Sequence, residues 1–239
     1  MRTIILGLLL AASQAWGSIT YIAGASASST TTPAINTTGA NLLIIVVTVD
    51  NSASLPGTIF DAVGGHTNTY TLAKSITAAG SSAGTYTYYC LNPAYVGSGH
   101  TFTISIANGY PSIYAAAYSG VASSSALDAV TNSAAITTGT SLQPGTITPS
   151  CTNELVVAGL FAENGTATVS GATLRQARAT ISGWWGGAYA DSIQTSKAAI
   201  NPAWSFTSGH AAATIVAFKA ADSDCSAIAR HRHKVTGGE

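Results

Sequence analysis

Residues 42–49 read Leu-Leu-Ile-Ile-Val-Val-Thr-Val, an apolar run broken only by Thr48. Gly39 lies before it, and the turn-forming pair Asp50-Asn51 follows it. A run this short and this rich in β-branched residues has no polar face to give to water. It predicts a central strand buried on both sides. Leu155 to Ala162 and Ala211 to Phe218 have the same character and carry the same expectation.

Half-buried strands are expected around these three. Thr101-Phe102-Thr103-Ile104-Ser105-Ile106 alternates polar with apolar, which puts Phe102, Ile104 and Ile106 on one face of a strand. Thr85 to Cys90 largely alternates as well, and Asn92-Pro93 and Gly97-Ser98-Gly99 punctuate the connection. The two segments are expected to pair as a hairpin. Further strands are expected near Ile19–Ala23, Thr69–Ile76, Ser112–Ser119, Gly145–Thr148, Ala172–Arg178, Trp184–Ile193 and Ala203–Phe206. No long segment combines apolar residues at three-four spacing with helix caps. About ten to twelve short strands must bury their apolar faces against one another, and two packed sheets achieve this. The expected fold is all-β, a two-sheet antiparallel β-sandwich of jelly-roll or immunoglobulin-like kind.

Only 8% of the 239 residues are charged, against about a quarter in an average globular protein. Ser, Thr, Asn and Gly must therefore supply the wetted surface. Formal net charge is zero and no Lys/Arg stripe runs through the body of the chain, so nucleic acid is excluded as a partner. Met1-Arg2, an apolar run from Thr3 to Ala12 and small residues up to Gly17 have the layout of a signal peptide. That run is shorter than the roughly 20 residues of a membrane span, so export without a span in the mature chain is expected. The domain reading is a signal peptide over 1–17, one sandwich over 18–220 and a disordered polar, basic tail over 221–239. Ser26–Thr32 and Ser123–Thr140, rich in Ser, Thr and Ala, read as surface connections or irregular edge strands. The three cysteines lack metal-ligand spacing. Export permits a disulfide, most simply Cys90 with Cys151, though any of three pairings and buried free thiols stay open.

Chemistry-bearing groups are sparse. The body offers Asp50, Asp61, Asp128, Glu154, Glu163 and Asp191, and no two of these lie two apart on one strand. Glu154 and Glu163 flank a buried run and read as solvated strand ends rather than a glycosidase pair. His66, His100 and His210 each sit beside a glycine at a turn or strand start, where an exposed imidazole is inert. No nucleophile-elbow or phosphate-loop pattern occurs. The aromatic group Trp184, Trp185, Tyr189 and Trp204 is the candidate ligand-binding set, because flat rings with few charges suit stacking on sugars. Adjacent Trp184 and Trp185 must point to opposite faces of a regular strand, so only one of them can serve as a platform. No cofactor is called for. Calcium enters by residue type alone, at Asp50-Asn51, Asp61, Asp128 and Asp191.

Asn68-Thr69-Tyr70-Thr71, Ala117-Tyr118-Ser119-Gly120-Val121, Leu127-Asp128, Asn153-Glu154-Leu155-Val156-Val157 and Ala213–Lys219 follow one another in an order that resembles bacterial extracellular β-sandwich domains of largely unassigned function. The turn before Asn68 departs from the acidic turn that the resemblance implies, reading Val63-Gly64-Gly65-His66-Thr67. The resulting expectation is a secreted, non-enzymatic binding or adhesion module, with polysaccharide or cell-surface glycan as a possible partner. A self-associating subunit of an extracellular fibre or virion is the alternative, and a glycan-active enzyme of sandwich fold is the second.

Overall fold

The computed structural model describes residues 18–50, 57–78, 80–178 and 186–225. The segment 1–17 read as a signal peptide, Asn51, Trp184, Trp185 and the residues beyond Cys225 lie outside the described residues. No helix occurs among the described residues. The described residues form fifteen strands, arranged in two five-stranded antiparallel sheets and two small ones.

The first large sheet has the order β1 (Thr20–Ala27), β7 (Tyr110–Ser119), β2 (Leu42–Asp50), β5 (Gly84–Leu91), β4 (Thr71–Thr77). The second has the order β12 (Thr173–Arg178), β13 (Gly186–Gln194), β10 (Glu154–Asn164), β15 (Ser208–Phe218), β8 (Leu127–Ile136). Leu42, Ile44, Val46, Tyr114 and Tyr118 of one sheet meet Leu155, Val157, Tyr189, Val216 and Phe218 of the other in the inter-sheet core. Gly159 of β10 is needed there, because a Cβ would stand 2.7 Å from Val46 Cγ1 of the facing sheet.

The outer faces are covered too, which is why the central strands are apolar throughout. Leu43, Ile45 and Val47 pack under Ile59, Phe102 and Ile104 of the hairpin-like pair β3 (Ile59–Ala62) and β6 (Thr101–Ile104). Ala158 and Leu160 pack under Leu142, Trp204 and Phe206, carried by or beside β9 (Ser141–Leu142) and β14 (Ala203–Ser205), whose third partner is β11 (Thr168–Ser170).

Each large sheet belongs to one half of the chain, and the halves repeat one plan. Reading outward from the corresponding edge, the first half runs β1-β7-β2-β5-β4 and the second β8-β15-β10-β13-β12. Leu42 faces Leu91 and Tyr118, as Leu155 faces Ile193 and Phe218. Both outer strands carry a bulge at the matching place, between Leu72 and Lys74 and between Leu174 and Gln176. The sheets face each other head to tail, with β1 against β12 and β4 against β8. Two half-sandwiches thus supply each other's buried face.

Three local expectations are corrected. Thr85–Cys90 and Thr101–Ile106 do not form a hairpin: β5 pairs with β2 and β4, while β6 leaves the large sheet to pair with β3. Gly145–Thr148 makes only a single bridge, Ile147 to Ile200. The disulfide joins Cys151 to Cys225, and Cys90 is a buried free thiol. Residues 221–225 are accordingly held to the body, with Asp224 and Thr152 exchanging two hydrogen bonds beside the disulfide. Low-complexity Ser26–Thr32 and Ser123–Thr140 each contribute to an edge strand, β1 and β8.

Candidate functional site

Strand β3 alternates, sending Ile59 and Asp61 inward and leaving Phe60 48% exposed. Asp61 is buried, so its carboxylate must find donors or give up its charge. It accepts hydrogen bonds from the Asn68 backbone N–H (2.6 Å), Asn68 Nδ2 (2.7 Å), Tyr70 Oη (2.8 Å) and His100 Nε2 (2.9 Å). Burial alone would push the carboxyl up, but the bonds from His100, Asn68 and Tyr70 outweigh it and hold Asp61 below its usual range. Asp61 is therefore ionised at neutral pH, and His100 Nε2 bears the proton it donates.

The network runs on behind the imidazole. His100 Nδ1 lies 2.9 Å from Thr37 Oγ1, which also accepts the Gly97 N–H at 3.0 Å. Thr37, His100 and Asp61 fall in the order hydroxyl, imidazole, carboxylate that nucleophilic catalysis uses. Here the order has no reacting position. Thr37 and His100 are 0% exposed and Asp61 is 2% exposed, so no substrate atom reaches the hydroxyl. The network is a hub that fixes its neighbours.

Those neighbours form the wall of a cleft of about 420 Å³. Phe60, Tyr70 and Tyr88 supply rings, and Thr58, Thr67 and Thr69 supply exposed hydroxyls. Among the described residues no charged side chain lines it. Asp61 holds Tyr70 by its hydroxyl and Asn68 by its amide, and Asn68 in turn holds both the N–H and the C=O of Tyr95. The Tyr95 ring stacks on His66 at 4.3 Å beside this wall. Burial pushes the Tyr88 hydroxyl up to about 12, so it enters the cleft as a neutral phenol. Such a surface can stack on a flat apolar face and exchange hydrogen bonds with hydroxyls, without electrostatic demand.

The second half has the same backbone plan and, among the described residues, none of this chemistry. Tyr88 corresponds in register to Ala190, and Tyr70 to Ala172. Asp61, opposite Phe102, corresponds to Val169, opposite Trp204, and Pro202 stands where His100 stands.

Of the residues singled out in the sequence, Tyr189 and Trp204 are both 0% exposed and present no ring face to solvent. Tyr189 is tied into a polar group between the sheets: Tyr118 donates to Asp191 Oδ2 at 2.5 Å, and the Tyr189 hydroxyl lies 2.5 Å from that of Tyr118. Arg175 Nε donates to Asp191, and the guanidinium carbon lies over the Tyr21 ring. A platform on this set would rest on Trp184 and Trp185, outside the described residues.

Glu154 is not a solvated strand end, because it is 0% exposed. Burial pushes its carboxyl up to about 7, against the Cys151 N–H that lowers it and with help from the nearby Asp128 charge. Ser150 ties Asp128 to the same place through two bonds, and Lys219 Nζ lies 3.8 Å away. His100 is likewise buried rather than an exposed turn residue. The aspartates raised for calcium scatter: Asp61 in the hub, Asp128 beside Ser150, Asp191 on Arg175, Asp50 at the end of β2. Among the described residues no three His, Cys, Asp or Glu side chains gather to hold a metal ion.

Sequence reading passed over the hub because its members lie on separate turns and strands, with Asp61 and His100 apart in sequence and joined only by the β3–β6 pairing. One signal was present. Phe60-Asp61-Ala62-Val63 sets a lone acid inside an apolar stretch, and such an acid needs partners.

No family model, no curated protein and no solved structure matches the chain. What stands of the resemblance to bacterial extracellular domains is its coarse content, an all-β sandwich fold. No helix among the described residues is long and apolar enough to cross a membrane.

Proposed function

We propose that the chain is a secreted, non-enzymatic binding module that takes an uncharged polyhydroxylated ligand, a polysaccharide or surface glycan, in the cleft of Phe60, Tyr70 and Tyr88. The observation that carries this reading is the contrast within the molecule. Two halves share one strand plan, but among the described residues only one bears the aromatic cleft and the polar hub behind it. Fold stability does not account for the hub, since the other half folds with Val169, Ala172 and Pro202 in its place. The rings and threonine hydroxyls match the amphipathic faces of neutral sugars. The Cys151–Cys225 disulfide supports folding in an oxidising compartment.

The test is a glycan array and insoluble-polysaccharide pull-down with the chain freed of residues 1–17, beside Phe60→Ala and Tyr88→Ala variants, with and without calcium. Retention lost in both variants supports the reading. Retention unchanged in both moves the ligand away from this cleft, and no retention by the unaltered chain on any neutral glycan sinks the proposal.

A further inference from the structure

The connection that leads from β3 to Tyr70 is longer than its counterpart in the second half. Tyr70 lies nine residues on from Asp61. Ala172, at the place that corresponds to Tyr70, lies only three on from Val169, at the place that corresponds to Asp61. The six extra residues make a small hairpin. Val63 and His66 exchange both backbone hydrogen bonds, at 3.2 and 3.1 Å, around Gly64 and Gly65. These glycines hold φ at +58° and +81°, the two left-handed positions that a two-residue turn of this kind requires. Among the described residues, no core cluster includes any of residues 62–67, so burial does not explain the insertion.

What the hairpin does place is an aromatic pair. The exposed His66 ring lies on the Tyr95 ring with the planes 6° apart, and Tyr95 is 39% exposed. Tyr95 is fixed through its backbone: its N–H donates to Asn68 Oδ1 at 3.0 Å, and its C=O accepts from Asn68 Nδ2 at 2.9 Å. Asn68 lines the first cleft and is held by Asp61, and Thr67, the neighbour of His66, lines the same cleft. The stack is therefore continuous with the cleft wall on both of its sides. In the second half Lys197 stands where Tyr95 stands, as far beyond Ile193 as Tyr95 is beyond Leu91.

We propose that the His66–Tyr95 stack is a second ring-binding position beyond the cleft, so that this face takes a chain of several sugar residues rather than a single one. The inference rests on the neutral-glycan reading of the cleft and extends it. Successive residues of a saccharide chain repeat the same amphipathic character, an apolar C–H face edged by hydroxyls, so a chain seated in the cleft meets a further aromatic surface with a matching face. The stack suits that role because it is already ordered. Each ring restrains the other, and the Asn68 bonds fix the loop below, so little conformational freedom remains to be lost when a sugar arrives. A ring that only closed the fold would be covered, whereas this pair is held rigid and left facing solvent.

The experiment is calorimetric titration of the chain freed of residues 1–17 with linear β-1,4-linked oligomers of glucose, mannose and xylose, from single sugars to hexamers. In the series that binds, affinity should climb about tenfold or more from the shortest oligomer that binds to the hexamer. Tyr95→Ala keeps the backbone bonds to Asn68, and should lower hexamer affinity about tenfold while changing that of the shortest oligomer less than about twofold. His66→Ala should have the same length-dependent effect, smaller in size. Affinity that does not change with length, or a Tyr95→Ala loss that is equal at every length, would overturn this inference and leave the cleft reading standing. No binding of any oligomer by the unaltered chain would remove both. Should Tyr95→Ala unfold, the length series on the unaltered chain together with His66→Ala still decides.

Discussion

Half of this molecule keeps a charged hub where the other half, built on the same strand order, keeps apolar groups. In the first half His100 and Tyr70 both bond Asp61, which lies opposite Phe102, and in the second Val169, opposite Trp204, occupies the matching places together with Pro202 and Ala172. Phe102 and Trp204 are both fully buried, so the outer layer seals equally well either way. Replacing a buried ionic group by well-packed apolar residues is often neutral or stabilising, whereas removing one member of such a group is costly. The second half is the natural form of that replacement. The hub is therefore better explained by what it positions, the ring of Tyr70 and the loop at Asn68, than by stability.

The largest expected effect breaks the contrast from the polar side. Asp61→Val leaves His100, Asn68 and Tyr70 with buried donors unanswered, and should cost about 3–5 kcal/mol in denaturant unfolding. Adding His100→Leu and Tyr70→Ala removes two of the three stranded groups and leaves Asn68, so the triple variant should lose clearly less than the single losses combined. It should also lose retention on any glycan the cleft holds. A cost below about 1 kcal/mol for Asp61→Val would show that the hub is not the coupled unit described. From the apolar side, Trp204→Ala should cost about 3–5 kcal/mol through the cavity it leaves, with glycan retention unchanged. Tyr88→Ala installs what the second half has at Ala190, and should lower retention about tenfold or more at a stability cost under about 2 kcal/mol.

The parts of this architecture that were legible in the sequence are those where one strand reports its own surroundings. Leu42–Val49 and Leu155–Ala162 read as doubly buried strands because each is apolar on both faces, and both lie at the centre of a sheet. Pairing is different, because it depends on two strands at once. Thr101–Ile106 alternates like a hairpin partner of Thr85–Cys90, yet the same alternation serves a strand that covers the sheet's outer face. The repeated plan was hidden for a related reason: Tyr88 and Ala190, or Asp61 and Val169, share a register without sharing chemistry. Trp204 shows the remaining gap, since residue type alone does not tell a stacking platform from the largest buried side chain.

The disulfide sharpens the contrast in a second way, because only the second half is closed by one. Cys151 and Cys225 are 74 residues apart in sequence, so their link restricts the unfolded chain across the segment that carries β10 to β15. Replacing both by serine should lower stability by about 2–4 kcal/mol, measured by thermal or denaturant unfolding. The first half is held by no such link, since Cys90 is free and burial pushes its thiol up to about 11. Reductant should therefore act on unfolding while leaving the aromatic cleft's affinity below the transition unchanged.

A further predicted effect concerns pH, where the carboxylates divide by sign. Asp61 and Asp128 are held below their ordinary value of 3.8 against the opposing push of burial, by donors that favour the charged form. Their stabilisation is present above the unfolded value and is lost as pH falls through the lower folded one. Glu154 behaves oppositely. Burial raises it from 4.5 to about 7, so between those values the folded protein keeps a proton that the unfolded chain has released. Stability contributed by that proton is complete below 4.5 and gone once pH has risen past about 7. A stability optimum is expected between the two arms, near pH 4 to 5 by these values. Glu154→Gln keeps the carbonyl that accepts the Cys151 N–H and removes the titration, so it should flatten the alkaline arm and stabilise the protein by about 1–3 kcal/mol at pH 8. An alkaline arm that persists in this variant would assign the slope to another group. A variant that is destabilised at pH 8 would mean that Glu154 is held ionised there by Lys219 and the Cys151 N–H, and that the charge belongs to the second half's own polar centre.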